Sequence, residues 1–465
     1  MPKQQELVLV ILGAYLAVIS GTAQAQKKAV DPGVRTGAAG AGGPLNGLGT
    51  AEAAYFEDGR ARFAEIETVT GGPNNGLGPR FNANQCLTCH SQPAGGGTSP
   101  AANPLIAMAT LNGARNLVPW FITPRGPIRE VRFKRNSSGA PDGDVHALFV
   151  ISGRRDAVGC NIDQPTFVPA GNPVTGQGGN PNLAFRIPTP MFGAGLIEAI
   201  PDSEILANMR ANIAVKSQLG IGGRPNAHLS GNVNLSANDG TITRFGWKAQ
   251  NKSLLLFAAE AYNVEMGVTN PLFPQERDET AGCVFNATPE DTLNFTAGSN
   301  SNTAVLSDIE AFANFMRMLA PPAPAPDTPS TQTGRAIFVR VGCAHCHTPS
   351  MTTARMVASG GRSGPSPALS NQTANLYSDL LIHHMGKGLA DGITQGAAGP
   401  DEFRTAPLWG VGQRIWFLHD GRTSNLLEAI EDHRSAGSEA SQVVERFHKL
   451  KAKDQQDLVN FLRSL

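Results

Sequence analysis

The sequence predicts a mainly α-helical protein built as two unequal units related by a duplication, the first enlarged by insertions that carry minor β hairpins. Three observations predict it. The same five-residue Cys/His motif occurs once in each half, a Pro-apolar-aromatic-Gly-small-Gly motif follows each copy, and each half closes in an amphipathic helix of similar sequence. At 465 residues the chain is also long for one core, and length alone favours two or more domains.

The Cys/His motif reads Cys86-Leu87-Thr88-Cys89-His90 and Cys343-Ala344-His345-Cys346-His347. C-x-x-C-H is the attachment pattern of c-type haem: two thiols add to the vinyl groups of one porphyrin, and the adjacent His presents its ring to the iron. With 6 Cys and 10 His in the chain, chance placement gives one match about once in several hundred chains, and two far more rarely. A redox C-x-x-C needs no His after it, and a zinc site needs paired knuckles that the other cysteines do not supply. Cys86, Cys89, His90, Cys343, Cys346 and His347 are therefore read as the binding set of two covalently attached haem c groups, with His90 and His347 on the metals, and the two units as cytochrome c-like domains. Cys160 and Cys283 read as a structural disulfide between two loops, the alternative being two free buried thiols.

The second motif reads Pro190-Met191-Phe192-Gly193-Ala194-Gly195 and Pro407-Leu408-Trp409-Gly410-Val411-Gly412. The closing helices are expected over Asp308 to Leu319 and Asp454 to Leu465. Their last turns read Asn314-Phe315-Met316-Arg317-Met318-Leu319 and Asn460-Phe461-Leu462-Arg463-Ser464-Leu465, and residues 458, 461, 462 and 465 form one apolar face. Between the units, Pro321-Pro322-Ala323-Pro324-Ala325-Pro326 cannot continue a helix. The expected division is residues 46–320 for the first domain, 321–334 for the linker and 335–465 for the second. Residues 200–305 have no counterpart in the second unit and hold two helical candidates, Asp202 to Lys216 and Ser253 to Met266. The alternating runs Val131 to Arg135 and His146 to Ile151 suggest a small hairpin.

Lys3 followed by the apolar run Leu7 to Ile19 and Ala23-Gln24-Ala25 marks residues 1–25 as a signal peptide. Residues 26–45, entering a Gly- and Ala-rich stretch, read as a flexible lead. An exported, periplasmic protein follows, and no later stretch is apolar enough to cross a membrane. Lys plus Arg and Asp plus Glu balance at 38 each, which removes the electrostatic case for nucleic acid as a partner.

With both C-x-x-C-H motifs and the repeated Pro-aromatic-Gly motif, the chain resembles the di-haem cytochrome c peroxidase and MauG superfamily. A further point of likeness is the run Phe417-Leu418-His419-Asp420-Gly421-Arg422, followed by Leu427-Glu428-Ala429-Ile430. Within that superfamily it is most similar to the di-haem oxidoreductases, also labelled thiol oxidoreductases. The supporting runs are Gly76 to Asn82, Gly193 to Pro201, Arg244-Phe245-Gly246-Trp247-Lys248-Ala249, and Tyr377-Ser378-Asp379-Leu380-Leu381 with Met385-Gly386. The likeness covers nearly everything after Asn46, and it implies haem-dependent redox chemistry with the substrate open.

A peroxidase needs two unlike haems, one iron open to peroxide and the other closed by a second strong ligand. For the second haem the expected sixth ligand is His433. Asn425 and Glu428 start a helix on which Leu426, Ile430 and His433 share a face, and the resemblance places a distal ligand a fixed step after the His419 turn. Met385 is the alternative, with His383 and His384 as further rivals, and a plain helix-capping role for His433 as the bland one. At the first haem, Glu198 lies three residues past Gly195 and is expected to act as general acid and base on O–O cleavage, or else to form an ion pair with an arginine such as Arg186. Trp247 and Trp120 are the candidate aromatics for bridging electron transfer; either can be ordinary core, which is the favoured reading for Trp120. Arg422 is expected to pair a haem propionate. The functional expectation is a peroxidase drawing electrons from a small c-type cytochrome or other periplasmic donor, with peroxide or another small oxidant as substrate. The alternatives are a non-catalytic di-haem electron carrier and an oxidative modification enzyme like MauG or the rubber oxygenases. Thiol oxidation is the weakest reading, because no third C-x-x-C is present to shuttle disulfides.

Overall fold

The computed structural model describes residues 28–167, 181–226, 242–294, 303–359 and 364–465; the expected signal peptide, residues 1–25, lies outside them. Each half is organised around two helices pressed together at a glycine. In the first half Thr50–Phe63 packs on Asp308–Met318, and in the second Pro329–Val341 packs on Ala452–Ser464. Local sequence starts these helices. Ser307 and Glu310 form a capping box, and Thr328 caps a helix with Pro329 in its first turn, where a missing N–H costs nothing.

A Cβ on Gly59 would run into the carbonyl oxygen of Ala311, and one on Gly334 into that of Asp457. Only glycine lets the helix backbones approach so closely. Phenylalanines fill the crossing in the same way: Phe63 lies 5.0 Å from Phe315, and Phe338 lies 5.5 Å from Phe461, ring centre to ring centre. The Pro-aromatic-Gly motifs seat against the closing helices at matched places, since a Cβ on Gly195 would strike the Arg317 carbonyl and one on Gly412 that of Arg463.

The insertions build the rest of the first half. The run expected as one helix from Asp202 to Lys216 is two, Asp202–Arg210 and Ile213–Gln218, broken where Asn212 takes a left-handed φ of 55°, a conformation Asn tolerates. Leu254–Met266 follows Ser253, whose hydroxyl accepts from Leu256 N at 3.1 Å, and stops at Gly267 with φ 73°. This helix is apolar on nearly every side, and so it is buried, packed on Asp308–Met318. The expected hairpin is a three-stranded antiparallel sheet. Glu130–Phe133 lies between Val145–His146 and Leu183–Arg186, with Glu130 opposite Arg186. The remainder of the second strand-like run, Phe149–Val150, pairs instead with Arg80–Phe81. Cys160 and Cys283 are disulfide-bonded.

The lead is not slack. Leu45 N donates to Met318 O and Arg35 N to Gly412 O, each at 2.8 Å. Along the Pro-rich linker, Ala320 N donates to Gly43 O and Ala323 N to Gly40 O. Two extended segments without helical hydrogen bonds of their own thus satisfy each other's backbone groups, which composition alone does not show. Among the described residues no helix is long and apolar enough to cross a membrane.

Candidate functional site

Each C-x-x-C-H motif opens into a large cavity, of about 1210 Å³ around the first and about 1460 Å³ around the second. In the first, His90 Nδ1 donates to the Gly97 carbonyl at 3.0 Å, which fixes the tautomer, and the Thr189 backbone also hydrogen-bonds the ring. Burial pushes the ring down to about 4, so it is neutral at physiological pH. The second repeats the device: His347 Nδ1 donates to Tyr377 O at 3.0 Å, and burial again lowers the ring to about 4. Burial also pushes the Cys86 and Cys343 thiols up to about 12, unlike the exposed, acidic thiol of a disulfide exchanger.

Beyond this shared part the cavities diverge. The first contains, besides His90, the carboxylates Glu130 and Glu265, brought from the sheet and from helix Leu254–Met266. They share a hydrogen bond. Burial and the neighbouring Glu130 push Glu265 up to about 8, while Asn82 Nδ2 donates to it at 2.6 Å. Burial works against ionisation of Glu130 as well, but Arg132, whose Nε donates at 2.7 Å, and Arg186 outweigh it and hold Glu130 below its ordinary range. At neutral pH the pair therefore holds one proton between its two carboxyl groups.

The second cavity is lined by His347, His383, His419, His433 and Met385. His433 Nδ1 donates to Ala429 O at 2.6 Å, leaving Nε2 bare, and burial lowers its pKa. His383 is spoken for on both nitrogens, by Asp379 at 2.9 Å and Glu439 at 2.7 Å. His384 is half exposed and faces Asp401 and Glu402. The nitrogens of both thus already face carboxylates. Trp247 lines both cavities, its indole N–H donating to Ile187 O at 3.0 Å. Its ring lies edge-on to His419 at 6.5 Å, and His419 in turn stacks on Phe403 at 4.3 Å.

The fit of these cavities to haem can be tested on their cations. Arg404 and Arg414 line the second cavity, and burial lowers each to about 10. Their hydrogen bonds go to carbonyls, Gly246 O and Pro407 O, and no carboxylate among the described residues pairs with either. In the first cavity the buried Nε of Arg186 has no partner. Arg404 and Arg414, cavity-lining guanidinium groups without an anion, are what haem propionates would complete, and the free Nε of Arg186, whose other nitrogens hold Asp391 and Gln395, is a further donor there.

Three expected site residues lie elsewhere. Glu198 is absent from the linings of both cavities; Arg317 Nε donates to it at 2.7 Å and Leu254 N at 2.9 Å. Although burial works the other way, Arg317 holds it below its ordinary range, and a carboxylate outside both cavities cannot reach a substrate bound in either. The ion pair is thus with Arg317 rather than Arg186, which is bound to Asp391. Arg422 is paired with Asp420 at 2.8 Å on the surface, and neither cavity lining includes it. Trp120 is 41% exposed and donates to Phe167 O.

Two cavities, each with a C-x-x-C-H motif and a histidine held in one tautomer, define the class of a two-haem redox protein. The chain belongs to the di-haem oxidoreductase family: the profile described as "Di-haem oxidoreductase, putative peroxidase" matches residues 178–465, a span with the second Cys/His motif inside it and the first outside. No curated protein matches the chain in sequence. Among solved structures it is similar to hydrazine synthase of Kuenenia stuttgartiensis, at 18% identity over 36% of this chain and TM-score 0.22, spanning 56% of that chain. It is also similar to the diheme peroxidase BthA of Burkholderia thailandensis, at 16% identity over 52% of this chain and 74% of that one, TM-score 0.28. A MauG-like protein associated with microbial copper homeostasis gives 17% identity over 66% and 95%, TM-score 0.28. These likenesses are too distant to carry argument, and the functional reading rests on the family and the residues.

Proposed function

We propose that the chain is an exported, periplasmic di-haem c-type peroxidase with one open catalytic site and one closed electron-transfer site, on a duplicated cytochrome c-like scaffold. The matched glycine and phenylalanine contacts support the duplication, and the Lys3 to Ala25 segment supports export. The observation that carries the assignment is the asymmetry of the cavities: a proton-sharing carboxylate pair and a single histidine in the first, an additional histidine with a bare Nε2 in the second.

Cys86, Cys89, Cys343 and Cys346 would carry the thioethers, His90 and His347 would hold the irons, and Arg186, Arg404 and Arg414 would meet propionates. Haem, when bound, supplies the electron-transfer chemistry of O–O cleavage. Glu130, ionised, accepts the proton of hydrogen peroxide and returns it to the departing oxygen, while Glu265 keeps its own proton and fixes Glu130 by hydrogen bonding. Reducing one peroxide to two waters consumes two protons and two electrons, the electrons coming from a small c-type cytochrome or another periplasmic donor. His433 would close the second site, with Met385 as the alternative. Trp247, present in both cavity walls, is the aromatic placed to pass electrons between them.

The test is the absorption and paramagnetic-resonance spectrum of the oxidised and half-reduced protein, with and without peroxide. The expected result is two haems per chain by pyridine haemochrome, one bis-histidine low-spin signal, and one high-spin site that reacts with peroxide. Two low-spin haems inert to peroxide would make the chain an electron carrier instead.

A further inference from the structure

Arg317 and Arg463 occupy matched places in the two closing helices, each carrying the carbonyl against which a motif glycine is pressed. Their counter-ions come from different parts of the chain. Arg317 takes Glu198 from its own half. Arg463 takes Asp31, which precedes the whole first half: Nε to Oδ1 at 2.7 Å and a terminal nitrogen to Oδ2 at 2.6 Å, with both side chains buried.

Asp31 does more than neutralise a charge. Its Oδ2 also accepts from Leu426 N at 2.7 Å, the first residue of helix Leu426–Asp432. Asn425 caps the next two amides, Leu427 and Glu428, so Asp31 supplies the partner that the local cap leaves out. His433 follows the end of this helix and donates into its last turn, at Ala429 O. Through Arg463 the same carboxylate reaches the turn that bears Arg414, because Arg463 donates to Arg414 O at 3.1 Å, and its guanidinium lies 5.0 Å from the ring centre of Phe417. His433, Arg414 and Phe417 all line the second cavity.

We propose that Asp31 is a positioning residue for the second haem site, tying the N-terminal segment to the helix that presents His433 and to the turn that presents Arg414. This rests on the reading that His433 closes that site. The second half is then incomplete without residues that come some 300 positions before it in the chain, and the N-terminal strap is a structural part of the site.

The experiment uses the full-length holoprotein as wild type, Asp31→Asn, Asp31→Glu, Arg463→Lys and His433→Ala. Cyanide is titrated against the bis-histidine low-spin signal, whose resonance is distinct from that of a His/cyanide haem. Asp31→Asn is expected to lower the cyanide concentration that half-displaces the second-site ligand by about 10-fold, the usual scale for losing an outer-shell support, with cyanide binding at the first haem unchanged. Asp31→Glu should restore most of the resistance. Unchanged displacement in Asp31→Asn, or equal loosening at both haems, overturns the proposal. If Asp31→Asn yields no soluble holoprotein, Arg463→Lys takes its place in the same titration, because it keeps the charge but loses the two-pronged contact. Loosening at the second haem alone then supports the proposal, and unchanged displacement or equal loosening at both overturns it. His433→Ala separates the ligand role from the positioning role. If it leaves the bis-histidine signal intact, the ligand reading fails; if it abolishes the signal while Asp31→Asn changes nothing, only the positioning role fails.

Discussion

The first cavity holds one histidine and three carboxylates, Glu260 and the proton-sharing pair Glu130 and Glu265, whereas the second holds four histidines and a single carboxylate, Glu439. The elements that carry the metal-ready histidines are alike, down to the glycines at the helix crossings and the phenylalanine beside each ring, 6.1 Å from His90 and 6.4 Å from His347. What differs arrives on other segments. Glu130 sits in the small sheet and Glu265 on helix Leu254–Met266, both insertions without a counterpart in the second half. On the proposed reading, similar helix pairs would hold the two cofactors, and the carboxylates from the sheet and from helix Leu254–Met266 would make the first site a place where protons can be exchanged.

Glu130→Gln is the sharpest way to break that contrast. If the carboxylate moves the peroxide protons, turnover should fall by about 10²- to 10⁴-fold, the usual worth of a general acid-base group, with haem content and the second site's spectrum unchanged. Steady-state peroxide consumption measures it, and a variant with wild-type turnover would leave the difference between the cavities without functional meaning.

The parts of this site that can be read from sequence are those whose chemistry demands contiguous residues. C-x-x-C-H is legible because thioether attachment and axial ligation use one short stretch. His433 stands out because helical spacing and a cap are local facts. Glu130 and Glu265 meet only through the fold, 135 positions apart in the chain. The faint local signal for them is charge where burial is expected: Glu130 and Arg132 within a strand, and Glu260 and Glu265 in the otherwise apolar helix Leu254–Met266. Arg404 and Arg414 are conspicuous only once their lack of carboxylate partners is visible. The acid-base expectation for Glu198 rests on its spacing from Gly195, which fixes its place in the loop but says nothing of Arg317, brought beside it by the closing helix.

The Glu198–Arg317 pair gives the second test of the contrast. Glu198→Gln removes one partner of a partly buried ion pair and leaves Arg317 uncompensated, a loss of about 1–3 kcal/mol in unfolding free energy. Turnover per folded molecule should be unchanged, because the residue lines neither cavity. Denaturant melts and activity at a temperature where both proteins are folded separate the two effects. Lost turnover with intact stability would return Glu198 to the catalytic site.

The first half should also carry its own pH signature. Burial and the nearby Asp308 push Glu67 up to about 8 from an ordinary 4.5, and burial with Asp308 pushes Asp291 up to about 7. The folded state keeps protons there that the unfolded chain releases, so this contribution to stability is fully present below about pH 4 and is lost as pH rises through 7 to 8. Glu439 runs the other way: despite burial, its hydrogen bond with His383 pulls it down to about 2, so its contribution is lost only as pH falls toward 2. Between about pH 5 and 8 the melting temperature should therefore decline, and Glu67→Gln should flatten the decline and be the more stable protein at pH 8. An undiminished slope in that variant would place the titrating group elsewhere.

The smallest expected effect concerns cations rather than acids. Arg422 and Asp420 form a partly exposed pair, with side-chain exposures of 33% and 19%. Such pairs contribute roughly 0–1 kcal/mol, because water already solvates both charges. Arg422→Gln should therefore leave haem content unchanged and move the unfolding free energy by less than about 1 kcal/mol. Arg414→Gln, at a cavity-lining position without a carboxylate partner among the described residues, should lower the haem content of the second site alone, since the charge it removes is the one a propionate would meet. Quantifying haem per chain in the two variants decides between them: a loss of haem in Arg422→Gln with none in Arg414→Gln would mean that the buried cations of the second cavity serve the protein and not the cofactor.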